Sequence, residues 1–140
     1  MAEPRNVPAL FLERVGRTPD VEAFRYPANC GWRSLTWKET EARVRAVSAG
    51  LKALGVRSEQ VCSILSSTRI EWLLADYGIL CAGAATSTIY PNTLPEECAF
   101  ILSDSGAVVA FAENDEQVAK LQSRRGDALH RRVGGGARAH

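Results

Sequence analysis

The hydrophobic pattern of this chain alternates between short apolar runs and longer segments with apolar residues three or four positions apart. The clearest succession begins with the apolar run Val61–Leu65 and turns through Ser66–Thr68; helical spacing then runs from Arg69 to about Ala82, before a second short run that ends at Tyr90. Short apolar runs are typical of buried strands, and the wider spacing is typical of amphipathic helices. Two strands joined by a helical crossover pair in parallel, so the segment predicts a β-α-β unit.

Local signals predict where the central helix begins and how it packs. Ser67 or Thr68 is the predicted N-cap, because a hydroxyl can accept from the unpaired amides of the first turn, where Glu71 also favours the helix dipole. Gly78, Ala82 and Gly83 lack bulk, which predicts a close approach of this helix to the sheet.

The flanking elements follow from the same signals. Before the central unit, the pattern predicts a helix over 6–17 ended by Gly16 and Pro19, a hairpin of strands 23–26 and 32–36, and a helix that starts with a Thr36–Glu39 capping box and stops at Gly55. After it, the pattern predicts a helix from Pro95 closed by Gly106, a strand over 107–111, and a helix capped by Asn114 or Asp115.

This succession predicts the α/β class: a partial doubly wound, mostly parallel sheet with helices on both faces, preceded by an N-terminal helix and hairpin. From Gly126 the composition changes to three consecutive glycines, three arginines and both histidines, without periodic apolar positions. We therefore expect a domain over 1–125 and an irregular, disordered tail over 126–140.

Composition excludes several function classes. A net charge of +1 with scattered basic residues gives no reason to expect nucleic-acid binding. The four cysteines form no C-x-x-C pair, which predicts reduced thiols in a cytoplasmic protein rather than a zinc or redox site. The N-terminus has no apolar signal core, and Asp76 near the middle of the apolar stretch 72–89 argues against a transmembrane segment.

Candidate chemistry is confined to the carboxyl ends of the predicted strands, where ligands bind in open α/β sheets. These ends are Ser66–Thr68, Ile89–Asn92 and Ala112–Asn114. Their polar groups are compatible with a ligand edge, but hydroxyls at these positions also serve as helix caps, and the residues taken alone favour the capping role. The sequence contains no phosphate-binding G-x-x-x-x-G-K-[ST] or G-x-G-x-x-G motif, and its serines have no histidine before the tail to act as a base. No catalytic or metal-binding residue is therefore predicted.

Several strings, taken in order, resemble the N-terminal part of the adenylate-forming acyl-CoA synthetases, in particular the bacterial long-chain fatty-acid–CoA ligases. The similarity covers about residues 7–125. The strings that carry it are Thr36-Trp37-Lys38-Glu39, Ala49-Gly50-Leu51, Leu54-Gly55-Val56, Glu71-Trp72 with Asp76, Ala82-Gly83-Ala84, Tyr90-Pro91 and Ser103-Asp104-Ser105-Gly106.

The resemblance implies a ligase that joins a fatty acid to CoA through an acyl-adenylate, with ATP, magnesium and CoA as the full-length family's reactants and cofactors. Tyr90, Pro91 and Asn92 are similar to the segment on the CoA side of relatives, which makes them the candidate cofactor-binding residues. The family's phosphate loop, Thr-Glu motif, ribose-binding Asp and C-terminal lysine all lie downstream of the similar region. The resemblance therefore implies that this chain alone does not activate fatty acids.

The chain departs from the family pattern at Ser58-Glu59-Gln60, where a Gly-Asp-Arg type of turn is common, and in the composition after Arg125. The second departure suggests a truncated gene or a shifted reading frame. Two alternatives remain open: a non-catalytic binding or regulatory module that associates with another synthetase chain, and one part of a split enzyme.

Overall fold

The computed structural model describes residues 5–122. The helices and strands of this region follow one another in the order α1 Val7–Arg17, β1 Glu22–Ala28, β2 Gly31–Thr36, α2 Trp37–Ala53, β3 Val61–Leu65, α3 Ile70–Cys81, β4 Ala85–Ile89, α4 Pro95–Ser105, β5 Val109–Ala112 and α5 Asp115–Gln122. The predicted α/β class and its N-terminal helix and hairpin are confirmed. The predicted tail over 126–140 lies outside the described residues.

The main sheet has three parallel strands in the order β4-β3-β5. Strand β3 is central: Val61 pairs with Ala85 at one end of β4, and Cys62 pairs with Val109 at the start of β5. This arrangement confirms the β-α-β unit predicted for the centre of the chain. Strands β1 and β2 form a separate antiparallel hairpin that packs beside α2.

Helices cover both faces of the sheet because β3 is apolar on both sides. Successive side chains of a strand point to opposite faces. Cys62 and Ile64 pack under α2 and α3, whereas Leu65 packs under α4. Ile64 and Leu65 are at most 1% exposed. Burial of each such side chain contributes about 1.5–3 kcal/mol, so β3 is stabilised by a separate apolar cluster on each face of the sheet.

Helix α1 adds an outer layer on α2 and α3. The Phe11 ring stacks on Tyr77 with 4.8 Å between the ring centroids, and Val15 lies in the same buried cluster as Val44 and Leu74. The N-cap Asn6 accepts a hydrogen bond from the Ala9 amide at 2.9 Å. The helix continues to Arg17, so the prediction that Gly16 helps to end it is wrong.

Three helices end on a glycine in the left-handed conformation. Gly55, Gly83 and Gly106 have φ of 87°, 79° and 64° and follow α2, α3 and α4. After each glycine, the next amide returns to a carbonyl of the last turn, as in Val56 to Leu51 at 3.0 Å. This arrangement is a Schellman motif, and it redirects the chain into the following strand. The predicted stops at Gly55 and Gly106 are confirmed.

Two predictions about α3 are wrong. Its N-cap is Arg69, without a side-chain capping bond, rather than Ser67 or Thr68. Gly78 faces helix α2 instead of the sheet, because a Cβ added there would lie 2.6 Å from Val47 Cβ. Gly83 belongs to the turn after the helix. The absence of bulk at Gly78 therefore serves a close contact between helices.

Candidate functional site

The carboxyl ends of β3 and β5 are joined by one carboxylate. Glu113, just after β5, accepts hydrogen bonds from the Ser67 amide at 2.7 Å and the Ser67 hydroxyl at 2.8 Å. Ser67 lies in the loop after β3, 46 residues away in sequence. Sequence analysis placed both residues on this edge but did not pair them. Ser67 does not cap α3, because the N-cap position falls two residues later, at Arg69.

Arg69 completes this group of charged side chains. Its Nε lies 2.7 Å from Glu71 Oε2, and its Nη1 lies 3.5 Å from Glu113 Oε1. The hydrogen bonds from the Ser67 amide and hydroxyl, with the nearby guanidinium, hold the pKa of Glu113 below its ordinary value. The Arg69 hydrogen bond likewise lowers the pKa of Glu71. Both carboxylates are therefore ionised near neutral pH, which suits them to fixing the loop after β3.

The end of β4 carries the three residues predicted to lie on the CoA side. The Tyr90 side chain is 79% exposed, and Asn92 is also exposed. The Tyr90 carbonyl accepts from the Thr93 amide at 3.0 Å, which closes a turn. The Pro91 carbonyl accepts from Gln117 Nε2 at 3.3 Å and from Lys120 Nζ. Helix α5 thus fixes the backbone of this turn and leaves the Tyr90 ring directed outward.

The hydrogen bonds divide the carboxyl edge into two groups. Ser67 and Glu113 form one group, and Pro91 with the α5 side chains forms the other. The bonds of Ser67 run to Glu113 after β5, whereas those of Pro91 run to α5. Gln117 was missed by sequence analysis, although it is only 5% exposed and its Oε1 has no hydrogen-bond partner within the described region. The sequence gave no signal of its burial, since an isolated Gln on a short helix is ordinarily exposed.

Among the described residues there is no metal-binding cluster, and two of the cysteines are buried. Residues 5–122 hold no group of three His, Cys, Asp or Glu side chains that could bind an ion, so no step of a reaction is assigned to a metal held by them. Burial raises the pKa of the Cys62 and Cys98 thiols, which leaves them protonated at neutral pH.

Among residues 5–122, none of the helices combines the length and apolar character that a membrane span requires.

The same fold is found in solved structures of other proteins. The chain superposes on a Mycobacterium tuberculosis fatty acyl CoA synthetase with a TM-score of 0.78 and 23% identity, over 88% of this chain and 24% of that one. It also matches the N-terminal subdomain of Klebsiella oxytoca NpsA, with a TM-score of 0.69 and 21% identity, over 78% of this chain and 28% of that one. The fold is therefore that of the N-terminal part of the adenylate-forming enzymes.

The sequence relatives define the family. The family model described as AMP-binding enzyme matches residues 11–134, and the chain belongs to this family. This match continues past Arg125, where sequence analysis placed the end of the similarity. The long-chain-fatty-acid–CoA ligase FadD15 of Mycobacterium bovis is 36% identical over 115 residues, which are 82% of this chain and 19% of the ligase. The chain thus spans about a fifth of the length of this relative.

A shorter relative also matches. An uncharacterized protein of Mycobacterium tuberculosis is 36% identical over 111 residues, which are 76% of this chain and 62% of that protein. The matched region makes up most of this second protein, in contrast to the ligases.

Proposed function

We propose that this chain supplies the N-terminal subdomain of a fatty-acid–CoA ligase, and that residues 1–125 form this subdomain. The full ligase joins a fatty acid to CoA, with ATP and magnesium in the first step and release of AMP and pyrophosphate. The observation that carries the proposal is the 36% identity to a long-chain-fatty-acid–CoA ligase over 82% of this chain. The parallel sheet and the TM-score of 0.78 to a fatty acyl CoA synthetase support the same subdomain.

The proposal includes that the 140-residue chain, taken alone, does not activate fatty acids. Adenylate formation needs donors positioned around phosphate and carboxylate groups. The sequence carries no phosphate-binding glycine loop. At the carboxyl edge, the hydroxyl of Ser67, the carboxylate of Glu113 and the carbonyl of Pro91 all bind other groups of the protein. In the proposal, these groups stabilise the subdomain and do not bind a substrate.

A pyrophosphate-release assay tests this part of the proposal. The purified chain is incubated with ATP, magnesium, CoA and palmitate, and the Mycobacterium bovis ligase serves as the positive control. We expect no release above a blank without protein. Turnover that depends on both palmitate and the chain would contradict the proposal.

Within the complete ligase, Tyr90, Pro91 and Asn92 are proposed to lie on the CoA side. The support is their position after β4, together with the outward Tyr90 ring and the fixed Pro91 carbonyl. The test uses a complete, active ligase that contains this chain. Tyr90→Ala is expected to raise the KM for CoA several-fold and to leave palmitate-dependent pyrophosphate release unchanged. Trp32→Ala, on the exposed hairpin, is the matched control. An equal rise in the KM for CoA in both variants would contradict this assignment.

A second candidate function is association with another synthetase chain, as a regulatory module or as one part of a split enzyme. The observation that favours it is the short Mycobacterium tuberculosis relative, in which the matched region makes up 62% of the protein. Co-expression with a Mycobacterium bovis ligase that lacks its matching segment tests this candidate. Restored acyl-CoA synthesis indicates a split enzyme, co-purification without activity indicates a binding module, and failure to co-purify rejects both.

The proposed compartment is the cytoplasm. The four cysteines are free thiols, and free cysteines are common where the cellular environment is reducing. Fractionation of cells that express the chain with a C-terminal epitope tests this placement.

A further inference from the structure

The charge of this chain changes sign at the end of α5. Residues 91–122, which run from the turn after β4 to the end of α5, carry six acidic side chains and one lysine, a net charge of −5. Residues 123–140 carry five arginines and one aspartate, a net charge of +4 with both histidines neutral. Opposite charges on neighbouring segments attract each other. The acidic region is therefore followed directly in the sequence by a basic one.

The acidic region contains an open groove along α4. This groove has a volume of about 490 Å³ and is lined by Thr93, Glu96, Glu97, Phe100 and Ile101. Phe100 is 68% exposed, although phenylalanine is among the residues most often buried. Along the exposed face of the helix, Glu97 lies three residues before Phe100 and Asp104 lies four residues after it. We call this surface the acidic groove; it presents carboxylates on both sides of an exposed aromatic ring.

The residues after α5 have the same order with the opposite charge. Arg125 lies four residues before Leu129 and Arg132 lies three residues after it, so an apolar side chain stands between two guanidinium groups. Read backwards from Asp104, the exposed face of α4 has the same intervals of four and three residues. Charge, apolar character and spacing therefore match when the two segments run antiparallel. We call residues 124–132 the basic segment.

The fold brings the start of the basic segment close to α4. Helices α4 and α5 both begin at the carboxyl edge of the parallel sheet, cover the same face and contact each other, so their C-terminal ends lie at the same end of the molecule. Leu121, in the last turn of α5, packs on the buried cluster that includes Leu102 of α4. The three residues from Gln122 to Arg125 can reach roughly 10 Å, about the distance between the axes of packed helices. The chain can thus turn back along α4 from its Asp104 end.

We propose that the basic segment docks in the acidic groove of the same chain, antiparallel to α4. Leu129 then covers Phe100, and the arginines on either side of it meet the carboxylates at the two ends of the groove. Glu97 accepts a hydrogen bond from the Leu94 amide at 3.2 Å, and a carboxylate has room for further donors. Because seven residues span about 10 Å in a helix and about 24 Å when extended, the docked segment is coiled. This proposal does not depend on the proposed ligase function.

The connection through α5 determines how this docking responds to salt and to protein concentration. Exposed ion pairs contribute little individually, and salt screens them over a Debye length of about 10 Å at 0.1 M. A tethered segment nevertheless meets its site at an effective concentration in the millimolar range, so weak contacts suffice to hold it. The docking is therefore strong at low salt, weak at high salt, and independent of protein concentration.

NMR spectroscopy of the full chain, labelled at its leucine methyl groups, tests the proposal. At about 50 mM salt we expect nuclear Overhauser contacts between the Leu129 methyl groups and the Phe100 ring, and these should disappear at about 500 mM salt. The Leu129 methyl shifts should stay the same when the protein is diluted about ten-fold. Shifts that change on dilution would place the segment in the groove of a second copy, and an absence of contacts at low salt would show an empty groove. Either result would overturn the proposal.

Exchanging the charges of Asp104 and Arg125 identifies the docked position. Asp104→Arg and Arg125→Glu should each lower the ratio of docked to undocked segment about five-fold, read from the Leu129 methyl shifts, and the double variant should recover it. An arginine in the last turn of α4 suits the helix dipole, so Asp104→Arg should retain the fold. Asp20→Arg, before β1, and Arg138→Glu, beyond the basic segment, are the matched controls for charge. An equal loss in the controls, or no recovery in the double variant, would overturn the proposal.

Discussion

The carboxylate of Glu113 binds both the amide and the hydroxyl of Ser67, and so joins the ends of β3 and β5 across 46 residues of sequence. Neutralising it should destabilise the fold. Glu113→Gln removes the charge from two short hydrogen bonds, each of which contributes about 1.5–3 kcal/mol when one partner is ionised. Because Ser67 is exposed to water in the loop, we expect a loss of about 1–2 kcal/mol in the free energy of unfolding, measured with urea. Glu116→Gln, exposed on α5, is the control, and an equal loss there would contradict this role.

The same carboxylate gives the protein an acid-sensitive component of stability. The pKa of Glu113 is lowered in the folded protein from its ordinary value of 4.5, chiefly by the Ser67 amide. The unfolded chain therefore binds more protons than the folded chain between these two pKa values. This stability is complete above pH 4.5 and is lost as the pH falls through the lower, folded-state pKa. Urea midpoints from pH 7 to pH 3 should fall less steeply for Glu113→Gln than for the natural protein, and parallel curves would refute the assignment.

Gly78 and Gly50 make a matched pair of helix glycines with opposite expected outcomes. A methyl group at Gly78 would overlap the Val47 side chain, whereas one at Gly50 meets nothing within 4 Å. Gly50→Ala should stabilise the protein by up to about 1 kcal/mol through helix propensity. Gly78→Ala should destabilise it by about 1–3 kcal/mol through overpacking. Thermal unfolding measures both. Gly78→Ala should cost less in a Val47→Gly background, which lacks both the Cβ and the methyl groups of Val47, than in the natural protein; an equal cost in both backgrounds would show that Val47 is not the obstacle.

The capping box of α2 should contribute about 1 kcal/mol. The Thr36 hydroxyl accepts from the Glu39 amide at 3.2 Å, and Glu39 accepts from the Thr36 amide at 2.8 Å. Thr36→Ala leaves the Glu39 amide without its side-chain acceptor, for which losses of about 0.5–2 kcal/mol are typical. Urea denaturation is the measurement, with the exposed Ser103→Ala on α4 as the comparison. A Thr36→Ala variant as stable as that comparison would show that the cap is dispensable.

The parts of this fold that sequence analysis predicted are those fixed by neighbouring residues. The Thr36–Glu39 capping box is contained within four residues, and the stops at Gly55 and Gly106 depend on one left-handed residue each. The β-α-β unit follows from apolar runs that are contiguous in the sequence. Such features do not need knowledge of distant contacts, and the structure confirms each of them.

The parts that it missed depend on partners far away in the chain. Sequence analysis assigned Ser67 to a helix cap because a cap involves only neighbouring residues. In the structure its amide and hydroxyl donate hydrogen bonds to Glu113, which follows β5. The packing of Gly78 on Val47 was likewise invisible, since only the relative placement of α2 and α3 determines which face of α3 needs a small residue. At the candidate site, the polar edge was predicted, while its division into two bonded groups was not.

The three-stranded sheet carries a consequence for handling the protein. Strands β4 and β5 each have a single neighbour, β3, among residues 5–122, and neither contains a charged residue that would discourage pairing. Unpaired strand borders of this kind recruit other chains into intermolecular sheets. Aggregation during storage at high concentration therefore depends on how well these two edge strands are covered. A lysine in place of Thr88, which is exposed on β4, should slow this aggregation without disturbing the core.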